Sequence, residues 1–113
     1  MNTASFNEDL AFDENRVKTK VLLETSFSKE IRILLKAGQI MKEHKTPYPI
    51  LIHVLEGRIA LGVHGTTQTM ESGTIIFLEG NVPHDLTAEE NSVVRLTLSK
   101  QDKVERLQEV INS

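Results

Sequence analysis

The chain has 113 residues, of which 39% are hydrophobic and 26% are charged, as is typical of one soluble domain with a single core. It has no cysteine, which excludes a disulfide framework and a thiolate metal site. The net charge is -3 and no run of Lys or Arg occurs, so neither a nucleic-acid nor an anionic-membrane partner is expected. No apolar stretch is long enough to span a bilayer, and the first residues lack a secretory pattern, so the expected location is the cytoplasm.

The first 15 residues form an N-terminal arm that is polar and acidic but carries three large apolar side chains, Phe6, Leu10 and Phe12. One interpretation is a frayed terminus. The other is an arm that docks through these three side chains, for example on a partner subunit, because three large apolar residues are many for a free tail. The sequence leaves both interpretations open.

Residues 16–99 have the pattern of β-strands. Polar and apolar residues alternate over 17–24 and again over 30–36. Gly38 is predicted to end the second of these strands. Further strands are predicted over residues 50–55, 59–64, 67–70, 74–78, 84–88 and 92–98. The turns between them are predicted at residues that reach positive φ at low cost, which are Gly38, Gly57, Gly73 and Asn81.

Two of these strands, residues 50–55 and 74–78, are apolar at nearly every position. A strand that is apolar on both sides is expected to be covered on both sides. Because a barrel has only one inside, the outward residues need other cover, and this predicts a homodimer. His53 interrupts the first run and is interpreted as a buried histidine with a hydrogen bond. Strict alternation places His53 on the face of the strand opposite to that of Ile50, away from a cavity. A bulge would reverse this, so the sequence does not decide which face His53 occupies.

The last stretch, residues 100–113, is predicted to be one short α-helix that packs on the outside of the barrel. Ser99 and Asp102 have the spacing of a capping box. Its apolar residues recur at helical spacing and give one stripe, formed by Val104, Leu107, Val110 and Ile111.

The block from Gly38 to Gly57 resembles the first signature motif of the cupin family, G-x5-H-x-H-x3-4-E-x6-G. Gly38, His44 and Gly57 fall in register with it. The second histidine of the motif falls on Thr46, and its glutamate falls on Ile50.

A later block resembles the second motif of the same family, G-x5-P-x-G-x2-H-x3-N. Gly73 and His84 fall in register. The proline of the motif falls on Glu79, its glycine on Asn81 and its asparagine on Ala88. Asn81 can stand in for the glycine, since Asn is the best non-glycine residue for a left-handed conformation.

The resemblance implies an all-β fold, an antiparallel double-stranded β-helix, with a cupin-like jelly-roll barrel over residues 16–99 and the C-terminal helix outside it. Closing the sheet removes the exposed edges that short strands would otherwise leave. The cavity of such a barrel is the default place for a ligand.

The resemblance also bears on metal binding, because metal-dependent cupins hold a divalent ion with three histidines and a carboxylate or amide. Here only His44 and His84 stand at ligand positions, and two imidazoles alone would hold a Zn, Mn, Fe or Ni ion weakly. A third ligand could come from Glu43, Glu79 or His53, although no spacing supports any of them.

Three functions compete, and whether the protein is an enzyme stays open. In the first, the cavity binds a small organic molecule, with His44 and His84 as polar groups among the lining residues Thr46, Tyr48 and Ile50. The second is a metal-dependent enzyme of the isomerase, dioxygenase or sugar-modifying type. The third is a dimeric sensor or interaction module without chemistry. Binding is ranked first, and it requires the two histidines to lie within ~10 Å of each other on one cavity.

Overall fold

The structure is a computed structural model and describes residues 1–100. The predicted C-terminal helix lies outside the described residues, apart from Lys100. Within residues 1–100, no helix is long and apolar enough to cross a membrane.

The described part of the chain folds into nine β-strands, and the segments predicted as strands from the sequence form most of them. The strands are β1 (Lys18–Glu24), β2 (Ser28–Leu35), β3 (Ile40–His44), β4 (Ile50–Glu56), β5 (Arg58–Val63), β6 (Thr66–Glu71), β7 (Ile75–Leu78), β8 (His84–Ala88) and β9 (Ser92–Ser99).

The strands form two antiparallel sheets, one of five strands in the order β1-β2-β9-β4-β7 and one of four in the order β3-β8-β5-β6. The all-β jelly-roll prediction is therefore confirmed. Alternate residues of both sheets bury their side chains in one core, which is formed by Ile33, Leu35, Ile50, Ile52, Val54, Ile59, Leu61, Met70, Leu78, Leu86, Ala88, Val94 and Leu96. The side of each sheet that faces away from this core is called its outer face below.

The corner between β4 and β5 depends on Gly57, which has a φ of +94°. A Cβ here would collide with the Ser92 hydroxyl and would lie 2.5 Å from the Asn91 carbonyl oxygen. Only glycine fits both the left-handed φ and this close approach. Asn81 also has a positive φ, of 65°, in the turn before β8.

Apolar outward residues of β4 and β7 are exposed within residues 1–100. Ile50 is buried, but its neighbour Leu51 is 37% exposed, and Ile75 and Phe77 on β7 are 56% and 54% exposed. Cover of these side chains by a partner subunit or by the C-terminal helix stays a prediction. His53 shares the outward side of β4 with Leu51, as strict alternation predicted, and it is half-buried rather than buried. Its interpretation as a buried histidine is therefore wrong.

The N-terminal arm lies against the outer face of the five-stranded sheet of its own chain. The Arg32 guanidinium on β2, which is 5% exposed, donates hydrogen bonds to the backbone carbonyls of Phe6, Glu8 and Asp9. The Arg95 guanidinium on β9 lies over the Phe6 ring, 5.7 Å from its centroid, which is cation–π geometry. The arm therefore covers the β2–β9 half of this outer face.

Candidate functional site

The two histidines of the motif-like blocks meet on paired strands of the four-stranded sheet. His44 at the end of β3 is the direct partner of His84 at the start of β8. Their ring centroids are 4.4 Å apart and the ring planes make an angle of 58°. His84 is 2% exposed and His44 is half-buried, so the pair lies at the inner side of the sheet, well within the ~10 Å that one small ligand can reach.

A β-bulge in β3 turns His44 to the inner side. Met41 pairs with Leu86 and His44 pairs with His84, so three residue steps on β3 match two on β8. In a regular strand Met41 and His44 would point to opposite faces, because side chains alternate. The extra residue puts both on the core side, and bulges often re-aim a side chain in this way beside functional sites.

Both rings are held by the same kind of hydrogen bond to the backbone two residues earlier. The Nδ1 atom of His44 lies 2.8 Å from the Lys42 carbonyl oxygen, and that of His84 lies 3.0 Å from the Val82 carbonyl oxygen. A carbonyl oxygen only accepts, so each Nδ1 carries the proton and donates it. In the neutral rings each Nε2 is then an acceptor, and no group of residues 1–100 forms a hydrogen bond to either Nε2.

Burial sets the charge state of the pair. Burial lowers the pKa of His84, the Val82 carbonyl opposes this, the nearby His44 lowers it further, and Asp85 raises it. The net direction is below the ordinary value of 6.5. The His84 imidazole is therefore neutral at pH 7, and the pair presents at least one unprotonated ring nitrogen.

We expect this lowered pKa to make the protein less stable as the pH falls through and below 6.5, the ordinary histidine value. The unfolded chain takes up a proton at residue 84 near its ordinary pKa, whereas the folded chain takes it up only at lower pH, so protons favour unfolding. Urea unfolding at a series of pH values should show a shallower pH dependence in His84→Gln than in the native sequence. An equal slope in the two proteins would show that His84 titrates normally.

The segment that follows His44 is held tightly against the turn before β8. The Thr46 hydroxyl donates to the Tyr48 carbonyl oxygen at 3.0 Å. The backbone N–H of Asn81 donates to the Thr46 carbonyl oxygen at 2.6 Å. A Cβ on Gly80 would collide with the Pro47 carbonyl oxygen, so glycine is required for this approach. Thr46 and Tyr48 are both half-buried, and the proton of the Thr46 hydroxyl is already committed to the backbone.

The remaining candidates are spread over other parts of the fold. Ile50 is 2% exposed and belongs to the core. His53 lies on the outer face of the other sheet, and Glu43 and Glu79 are exposed. In residues 1–100, no three His, Cys, Asp or Glu side chains are grouped so that they could hold a metal ion. The donors that the structure describes therefore do not fit the full ligand set of a metal-dependent relative.

The sequence did not indicate the groups that orient the two rings. They are the backbone carbonyls of Lys42 and Val82, which no side-chain pattern reveals, and the bulge in β3, which falls among charged residues without periodicity. The one available signal was the glycine-to-histidine spacing, which pointed to His44 and His84 but not to their mutual contact.

Comparison with known proteins gives a family and a fold. The family model of the cupin domain matches residues 31–99. A solved RmlC-like cupin from Desulfovibrio desulfuricans is 24% identical, with a TM-score of 0.81 over 88% of this chain and 96% of its own. An RmlC-like cupin from Shewanella frigidimarina is 19% identical, with a TM-score of 0.74 over 89% and 93%. A conserved Streptococcus pyogenes protein of unknown function is 18% identical, with a TM-score of 0.76 over 89% of each chain. No curated protein matches.

Proposed function

We propose that this chain, which belongs to the cupin family, binds a small organic molecule at the inner side of its four-stranded sheet, with His44 and His84 as the polar groups of the site. The observation that carries the proposal is the shared orientation of the two rings. Each Nδ1 is committed to a backbone carbonyl, which leaves each Nε2 without a partner among residues 1–100.

A ligand would complete the hydrogen bonding of this pair. No buried side-chain nitrogen or oxygen atom of residues 1–100 lacks a hydrogen-bond partner, so the two partnerless Nε2 atoms are not sealed inside the core, and a donor group of a ligand can reach them. His84 is 2% exposed and shares the inner side of β8 with the core residue Leu86. A molecule with hydroxyl groups on a partly apolar frame matches both properties, because its hydroxyls can donate to the nitrogens while its frame packs on apolar side chains.

A metal-dependent enzyme is the second candidate, and the same ring orientation favours it. Metal-binding histidines commonly donate one ring N–H to a carbonyl and present the other nitrogen to the ion. The donor set weighs against it, because Thr46 and Ile50 replace two ligands of the family motif and residues 1–100 group no third ligand with the pair.

Ligand binding can be followed directly on the histidines. The chain has four, so histidine-selective NMR spectra are simple. In a titration with a panel of sugars, polyols and catechols, we expect the resonances of His44 and His84 to shift with at least one compound. His44→Phe should weaken binding of that compound about tenfold, because a ring of similar size without nitrogen cannot accept its hydrogen bond.

Two comparisons decide the result. His53→Phe makes the same change on the outer face of the other sheet and should leave binding unchanged. Equal loss in both variants, or shifts confined to His53 and His64, would contradict the proposed site.

Elemental analysis of protein purified without a histidine tag should find well under one Zn, Mn, Fe or Ni per chain. One tightly held ion per chain would favour the metal-dependent alternative.

A further inference from the structure

The outer face of β4 and β7 carries apolar surface that residues 1–100 leave exposed. Ile75 and Phe77 are 56% and 54% exposed, and Leu51, the direct partner of Phe77 on β4, is 37% exposed. The arm covers the other half of this outer face, over β2 and β9, through its contacts with Arg32 and Arg95. The three side chains Leu51, Ile75 and Phe77, here called the β7 patch, begin where the cover of the arm ends.

The C-terminal segment starts at a fixed point close to this patch. The backbone N–H of Lys100 donates to the Phe27 carbonyl oxygen at 3.1 Å, and its ammonium donates to the Thr25 carbonyl oxygen at 2.6 Å. The Ser99 hydroxyl donates to the carbonyl oxygen of Pro49, the residue before β4. These contacts hold the exit of the chain at the end of the five-stranded sheet where β4 begins and β7 ends.

From this exit the β7 patch is within short reach. Leu51 lies one strand away from β9 and Phe77 lies two strands away, in the same row of paired residues. Neighbouring strands are about 4.8 Å apart, so β4 and β7 lie about 5 Å and about 10 Å to one side of β9. An α-helix rises about 1.5 Å per residue. A helix that starts at Lys100 and crosses the strands would therefore bring Val104 over β4 and Leu107 over β7.

We propose that residues 101–113 form a helix that crosses the β7 patch and covers it with its apolar stripe. The sequence predicts this helix, and its stripe is formed by Val104, Leu107, Val110 and Ile111. A helix of about three turns is not stable alone in water, so it needs a surface on which to pack. Packing on the β7 patch removes two apolar surfaces from water at once.

The opposite direction from the exit offers a charged surface. There the outer face of β1 carries the exposed Lys18 and Lys20, of which Lys20 pairs with Arg32 on β2. The arm lies there as well, because the Lys18 ammonium donates to the Ala11 carbonyl oxygen. Covering charged side chains with an apolar stripe would take them out of water without a partner, which costs free energy. The stripe therefore favours β7 over β1.

A second copy of the chain fits the β7 patch less well than this segment does. The three side chains expose on the order of 300 Å², given full side-chain areas of about 200 Å². Each partner of a standard interface buries about 800 Å², of which somewhat more than half is apolar, so the patch is smaller than such an interface requires. The tether also holds the segment at an effective concentration on the order of millimolar, whereas a second copy bears the full entropic cost of association.

A single tryptophan tests whether the segment covers the patch, since the native chain has none. In the full chain, the emission of Phe77→Trp should lie to the blue of that of Ile40→Trp, because Ile40 is equally exposed, at 58%, but lies on the other sheet. Adding Leu107→Lys should shift the emission of Phe77→Trp to the red. The control Glu109→Lys introduces the same residue opposite the stripe and should leave the emission unchanged. Equal emission of the two tryptophans, or no red shift with Leu107→Lys, overturns the proposal.

A nitroxide label tests the direction and the occupant, because a single cysteine can be introduced into a chain that has none. A label on Glu109→Cys, opposite the stripe, should broaden the amide signals of β7 more than those of β1. The broadening should not change on tenfold dilution, because both groups belong to one chain. Stronger broadening of β1 would overturn the docking site. Broadening of β7 that falls on dilution would show that a second copy covers the patch, which also overturns the proposal.

Discussion

Gly57→Ala is expected to lower the free energy of unfolding by about 4 kcal/mol, one of the largest effects of a single methyl group in this fold. The residue has a φ of +94°, which strains any L-residue. The added Cβ would also lie 2.5 Å from the Asn91 carbonyl oxygen and 2.8 Å from the Ser92 Cα. Because these are backbone atoms, the β8–β9 turn would have to move away from the β4–β5 corner.

That movement would break a small hydrogen-bond cluster. Ser92 is fully buried, and its hydroxyl accepts from the Arg58 amide at 3.1 Å and donates to the Glu90 carbonyl oxygen at 2.8 Å. The Cβ of Gly57→Ala would push against this hydroxyl as well. Buried groups that lose such partners destabilise a fold by about 1–3 kcal/mol, in addition to the backbone strain.

Gly73→Ala separates the two contributions. Gly73 has the same φ of +94°, but a Cβ at this position would have no heavy atom within 4 Å. We expect a loss of only about 1–2 kcal/mol, which is the conformational strain alone. Urea unfolding of both variants gives the comparison. Equal losses would show that the close approach at Gly57 relaxes freely and that only the left-handed φ matters.

This pair of glycines shows which parts of the fold local sequence can indicate. Both were predicted as turn residues because each is a glycine between two predicted strands, and both have the positive φ that such turns require. The collision at Gly57 depends on Ser92, which belongs to a strand far away in the chain, so no local pattern distinguishes Gly57 from Gly73. Strand identity follows from neighbours in sequence, whereas packing distance follows from the tertiary arrangement.

The candidate site shows the same division. Spacing from Gly38 and Gly73 pointed to His44 and His84, and the structure brings their rings to 4.4 Å. The side-chain alternation of β3 could not predict this contact, because the bulge after Met41 reverses the face of His44. Lys42 and Glu43 lie in the bulge. Because both are charged and exposed, their sequence does not indicate which face of the sheet the next residue, His44, occupies.

The rule that an apolar strand is covered on both sides does not say what supplies the cover. It is drawn from sheets that have a layer on each face. Here the five-stranded sheet packs its core on one face, and the arm covers only the β2–β9 half of the other. The apolar outward residues Leu51 and Phe77 therefore stay exposed in the described chain, and a sequence cannot show how far an arm extends over a sheet.

Arg32→Met is expected to lower the free energy of unfolding by about 2–3 kcal/mol and to release the arm. The guanidinium lies in the middle of β2, is 5% exposed, and donates to the carbonyls of Phe6, Glu8 and Asp9. The planar guanidinium holds its donors in a fixed arrangement and can serve three carbonyls at once, whereas a methionine side chain has no donor. Methionine keeps much of the apolar stem, so the loss reports on these hydrogen bonds more than on packing.

A second cation that touches the arm provides the control for this variant. The Lys18 ammonium donates to the Ala11 carbonyl oxygen at 2.8 Å, but it is exposed, so Lys18→Met should cost less than about 0.5 kcal/mol. Hydrogen exchange at the amides of residues 6–9 should speed up in Arg32→Met and stay unchanged in Lys18→Met. If the arm detaches, Arg95 loses the ring of Phe6 as well, and the uncovered outer face would then extend from β7 to β2. Unchanged exchange in Arg32→Met would show that apolar contacts alone hold the arm, in which case Phe6, Leu10 and Phe12, all half-buried, would be the residues responsible.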